Sequence, residues 1–142
     1  MKHKGMRLAL FALELLAAVG AIAGGLALLA GVIRFPPEQL QGTPFGDYTL
    51  PGLILAMVVG GTLLLGAATA FLRREFAVWC SVAAGLILCG WIIGEVILLG
   101  PFALAWQLPF LAWGLAIFGL AFLLWMGEYR QQHFPGRPLP HA

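Results

Sequence analysis

The sequence predicts an all-α integral membrane protein, a four-helix bundle with both termini in the cytoplasm. Three observations carry that expectation. The 142 residues are 61% hydrophobic and only 10% charged, against about 25% charged residues in an ordinary soluble domain, and mean hydropathy is +0.95. Four apolar segments each reach the roughly 20 residues that a transmembrane helix needs. Lysine and arginine, finally, gather in the segments that would lie at one end of such a bundle.

The first span is expected over about 6–33, with one acid, Glu14, inside it. Lys2, Lys4 and Arg7 ahead of it resemble the n-region of a signal peptide, and Ala21-Ile22-Ala23 resembles a cleavage site. A secretory apolar region is only about 7–15 residues long, however. Here apolar sequence continues to Ile33, so an uncleaved first helix is expected, stopped by Pro36-Pro37. An outer loop follows over 34–49. The second span, about 50–72, carries no charge. Asp47 or Thr49 is placed to cap it, with Pro51 in its first turn and a turn at Gly46-Asp47 before it.

The third span, about 76–99, holds one acid, Glu95, and both cysteines. Cys80 and Cys89 are nine residues apart and fall on opposite sides of one helix, so they read as small buried residues, with no disulfide between them. Gly100-Pro101 breaks the third span from the fourth, about 102–126. A cytoplasmic tail over 127–142, rich in proline, is expected to be extended.

Orientation follows from the short loops. Seven of the eight Lys and Arg residues (Lys2, Lys4, Arg7, Arg73, Arg74, Arg130, Arg137) fall on one side, and only Arg34 on the other. Both termini and the Arg73-Arg74-Glu75 turn are therefore expected inside, and the 34–49 loop outside. Trp79 and Trp125 fit the inner aromatic belt and Trp106 the outer. Gly20 with Gly24, and Gly90 with Gly94, have the GxxxG spacing, and Thr62, Gly66 and Ala70 a related one. Such small residues let helices approach closely within the bundle or, second, at a homo-oligomer seam.

Glu14 and Glu95 are the candidate functional residues, because an ionised group at the bilayer centre costs about 2.5–3.5 kcal/mol on insertion scales. Glu14 shares a helix face with Ala18, Ala21 and Gly25 and is expected to look into the bundle. It would either pair with Arg73 or Arg74 or stay protonated. Glu95 lies at the depth of Arg34 and is expected to pair with it. The two acids occupy opposite halves of the bilayer, too far apart for a carboxylate dyad with its separation of about 5–10 Å. Gln107 is the other strongly polar side chain in the spans. In the loop, Phe35, Phe45, Asp47 and Tyr48 form a candidate binding face. The aromatics would either fold back on the bundle or present a lid or partner surface.

Several classes of chemistry find no support. A formal charge of +2 without basic runs argues against nucleic acid as a partner. His3, His133 and His141 lie in the tails without metal-ligand spacing. No phosphate loop, nucleophile elbow or haem-attachment motif is present, so neither a cofactor nor an enzymatic activity is expected.

The loop has one further feature. Thr43-Pro44-Phe45-Gly46-Asp47-Tyr48, then Pro51-Gly52-Leu53, resembles an (S/T)PFxDYxxPGL pattern in an uncharacterised family of small four-span bacterial membrane proteins. Gly90-Trp91 with Glu95, and Gln107 with Pro109, resemble that group as well. The resemblance implies four helices in the plasma membrane and no particular activity. Two functions fit these features: an accessory or scaffold subunit in a membrane complex, and a small proton-coupled carrier using Glu14, similar to the membrane-embedded acid of small multidrug-resistance transporters. The strong charge bias and the longer outer loop depart from those transporters. The expected partners are the bilayer itself and a membrane protein or a second copy of the chain.

Overall fold

The structure, a computed structural model, describes residues 4–34, 37–72 and 75–133. Four helices account for nearly all of them: α1 (Lys4–Leu29), α2 (Thr49–Phe71), α3 (Ala77–Leu99) and α4 (Pro101–His133). Each contains a stretch long and apolar enough to cross a membrane, and the described residues include no strand. The chain is thus built as a multi-pass membrane protein. Each helix packs on the next, and α1 also meets α4 to close the bundle; that last seam is the loosest of the four. One end of the bundle carries the start of α1, the α2–α3 turn and the end of α4. The other carries the 34–48 loop and the turn at Gly100, and is called the loop end below.

Each helix turns a stripe spaced three or four residues apart towards its neighbours. The stripe is Leu10, Glu14, Ala18, Ala21 and Gly25 on α1, and Leu63, Gly66, Ala67 and Ala70 on α2. On α3 it includes Ser81, Ala84, Leu88 and Ile92, and on α4 Ile117, Ala121 and Leu124. Large apolar side chains such as Val32, Met57, Phe71 and Ile97 point outward, where lipid rather than water would meet them.

The close approaches are made by glycines other than those in the expected GxxxG pairs. A Cβ on Gly25 would lie 2.6 Å from the Gly52 carbonyl oxygen, and one on Gly60 would lie 2.6 Å from the Ile22 side chain. Between α3 and α4, a Cβ on Gly85 would lie 3.1 Å from the Phe118 nitrogen, and one on Gly114 2.8 Å from Cys89 Sγ. Gly20, Gly90 and Gly94 have nothing within 4 Å of a Cβ position, so their spacing does not mark a tight seam. Of the Thr62, Gly66 and Ala70 set, Gly66 and Ala70 do face the core, while Thr62 Oγ1 donates back to the Val58 carbonyl at 2.8 Å.

Helix ends differ from expectation at two places. The first helix stops at Leu29, four residues before Ile33. Gly31 takes φ +72°, Val32 N donates to the Ala27 carbonyl at 3.0 Å and Gly31 N to the Leu28 carbonyl at 3.3 Å. This is a Schellman ending, which uses a left-handed glycine and needs no proline. At the other end of the chain, α4 continues to His133 through part of the expected tail. Its 33 residues span about 50 Å, well beyond the roughly 30 Å of a hydrocarbon core. Residues 134–142 lie outside the described part. Within α2, Ile54–Val59 is wound as a π-helix, which propensity alone does not signal.

Candidate functional site

The polar groups inside the bundle form two separate sites. Glu14 is fully buried in the terminal half, about 15 Å along α1 from Lys4. It fits there because α2 presents a glycine: a Cβ on Gly66 would fall 2.5 Å from Glu14 Oε1. Ser81 of α3, also fully buried, faces the same carboxyl. Among the described residues, neither Glu14 oxygen nor Ser81 Oγ completes a hydrogen bond. A buried carboxylate is strongly disfavoured unless it is paired or protonated. Of the two expected alternatives, an arginine partner concerned Arg73 and Arg74, which lie outside the described residues.

Glu95 does not pair with Arg34. Gln107 Nε2 of α4 donates to Glu95 Oε2, and the Trp91 indole, one turn back on α3, faces the same carboxyl. Arg34 is exposed and donates from Nε to the Gly31 carbonyl at 3.0 Å. The early end of α1 is the cause. With the chain leaving the helix at Gly31, the guanidinium folds over the C-terminus of its own helix, where exposed carbonyls and the helix dipole favour a cation.

Glu95 and Gln107 sit on the wall of a cavity of about 280 Å³ between α1, α3 and α4. Its other walls are apolar and include Gly20, Gly24, Trp91, Phe110 and Trp113. The cavity lies at the loose α1–α4 seam. Towards the terminal end that seam is held by polar contacts: Trp113 Nε1 donates to the Leu13 carbonyl at 3.0 Å, and Arg7 pairs with Glu128. Glu14 is not among the residues lining the cavity.

The 43–52 stretch is mostly a built turn. Thr43 Oγ1 donates to the Leu40 carbonyl at 2.7 Å and accepts from Phe45 N at 3.3 Å. Asp47 Oδ1 accepts from Thr49 N, the first residue of α2, at 3.0 Å. The left-handed glycine of the loop is Gly42, φ +83°, with the chain only bending at Gly46-Asp47. Phe45 and Tyr48 are half-buried and Asp47 is exposed; Phe35 lies outside the described residues. None of Phe45, Asp47 and Tyr48 lines the cavity. Burial, and then the Glu38 carboxylate, push the Tyr48 phenol above its usual range. Leu40, in the short 3-10 turn Pro37–Leu40, is buried, alone among the loop residues whose burial is described, and that turn touches α3.

Three residues of these sites, Ser81, Glu128 and Leu40, carried no warning in the sequence, and Gly66 was marked only by its small-residue spacing. Ser81 is an ordinary small residue until a carboxyl from another helix meets it. Glu128 sat in the expected tail, and Leu40 was hidden among loop residues. At the terminal end, Trp79 and Trp125 meet with ring centroids 6.4 Å apart, in keeping with their shared belt position; the Trp106 side chain lies outside the described part. Cys80 and Cys89 are both free, the first half-buried and the second buried.

Compared with known protein families, functionally described proteins and solved structures, the chain matches none.

Proposed function

We propose that this chain is a non-catalytic accessory or scaffold subunit of a membrane complex, set in a bacterial plasma membrane with both termini in the cytoplasm. The observation that carries this reading is the state of Glu14. A proton-coupled carrier needs that acid to meet water and exchange its proton. Instead it is sealed between α1, α2 and α3 beside Ser81 and Gly66. A dry acid packed against a glycine suits a rigid bundle. The orientation is supported by the seven-to-one distribution of Lys and Arg. The plasma membrane and bacterial setting rest on the four-span loop pattern.

The test is extraction in a mild detergent at native expression, followed by intact mass spectrometry. A heterologous companion in fixed ratio is the expected result. A bare monomer or homo-oligomer, combined with export of a cationic dye that is lost in Glu14→Gln, would instead establish the carrier.

A further inference from the structure

The α1–α3–α4 cavity has features that packing does not explain. Gly20 and Gly24 stand one turn apart on its α1 wall. A Cβ on Gly20 would meet nothing within 4 Å, and one on Gly24 only a Leu55 methyl at 3.7 Å. Glycine inside a helix is unfavourable relative to alanine, and here no neighbouring backbone comes close enough to require it. What the two glycines create is space. The α1 wall runs from Leu16 to Gly24, about 12 Å at the helical rise. A cavity of about 280 Å³ opens along that length, and exposed Leu16 and Phe110 on its walls leave it accessible from the lipid side.

The polarity of the cavity is one-sided. Glu95 lies about 6 Å along α3 from the loop end, and with Gln107 it supplies the strongly polar side chains of a wall that is otherwise apolar or indole. A carboxylate has about four acceptor sites. Gln107 uses one of them and the Trp91 indole faces the same carboxyl, which leaves acceptor capacity for a donor brought by a ligand. The depth is that of a head group just below the membrane interface, and the apolar wall continues inward towards Leu16 and Trp113.

We propose that this cavity binds a membrane amphiphile: a hydrocarbon chain along the Gly20–Gly24 wall, with a hydrogen-bond-donating head, a hydroxyl or an amine, on Glu95. The site stands independently of the scaffold reading, since a scaffold and a carrier could each hold such a ligand.

Trp91 and Trp113 on the wall make the test direct. The full chain is placed in phosphatidylcholine vesicles and titrated with 12-bromododecan-1-ol, whose bromine quenches indole fluorescence at contact. The expected result is a saturable component above bulk quenching, displaced by dodecan-1-ol or dodecylamine but not by dodecane. Which of the two heads displaces better identifies the preferred donor. Gly20→Leu should raise the half-saturation at least tenfold, and Glu95→Ala should reduce displacement by dodecan-1-ol to that by dodecane. Quenching that rises linearly with bromoalkanol content, equally in wild type and Gly20→Leu, would overturn the proposal. Displacement by dodecane as effective as by dodecan-1-ol would overturn the role of Glu95. The competition needs only the wild-type chain, so it stands even where a variant fails to fold.

Discussion

Glu14 shows how far a single residue can be read before folding. An acid among apolar residues, on a face with Ala18, Ala21 and Gly25, announces its inward direction, and the structure buries it. Its surroundings were not legible, because Gly66 and Ser81 come from other helices and no local pattern links them to it. The contact makes a sharp prediction. Gly66→Ala would put a methyl 2.5 Å from Glu14 Oε1 and should destabilise the bundle by about 1–3 kcal/mol, the usual cost of overpacking. In a Glu14→Ala background the same substitution should cost far less. Thermal unfolding in detergent of the two single variants and the double variant measures that coupling. Glu95 taught the opposite lesson. Matching depth and opposite charge suggested Arg34, but its partner is Gln107, which lies across the tight Gly100 turn. Arg34→Gln should therefore leave stability within about 0.5 kcal/mol of wild type, as exposed substitutions generally do.

At the scale of the element, the number and order of the helices were plain from hydropathy, while their ends and seams were not. Pro36-Pro37 looked like the stop for α1, yet the chain ends that helix at Gly31, where φ is +72°. Gly31→Ala should cost about 1–2 kcal/mol, the penalty for a side chain in the left-handed region. The glycines likewise divide by environment rather than by spacing. Gly25→Ala would drive a methyl to 2.6 Å from the Gly52 carbonyl and should destabilise by about 1–3 kcal/mol or more, because backbone cannot give way as a side chain can. Gly20→Ala meets nothing within 4 Å and should be neutral or stabilising by up to about 1 kcal/mol through helix propensity. The GxxxG spacing is the same whether the pair faces a helix or a hollow, so only the packed bundle tells them apart.

For the molecule as a whole, four helices bring the start of α1 and the end of α4 to the same end of the bundle. Arg7 pairing with Glu128 ties these helix ends together, although Glu128 belongs to a segment that composition marked as tail. A double-mutant cycle on this half-buried pair should give a coupling of about 1 kcal/mol that weakens in salt. Above this tie and the Trp113–Leu13 hydrogen bond, the same α1–α4 seam opens into the cavity at Glu95. The two intramembrane acids thus have different standing: one sealed in the core, the other on the wall of a hollow. Modification with dicyclohexylcarbodiimide, an apolar reagent for carboxyl groups, separates them most directly when the intact protein is treated in its membrane and the adducts are located by peptide mass spectrometry. An adduct is expected on Glu95 and none on Glu14 while the protein stays folded. Rapid modification of Glu14 in the folded protein would contradict it, and would place that acid on an open path through the membrane.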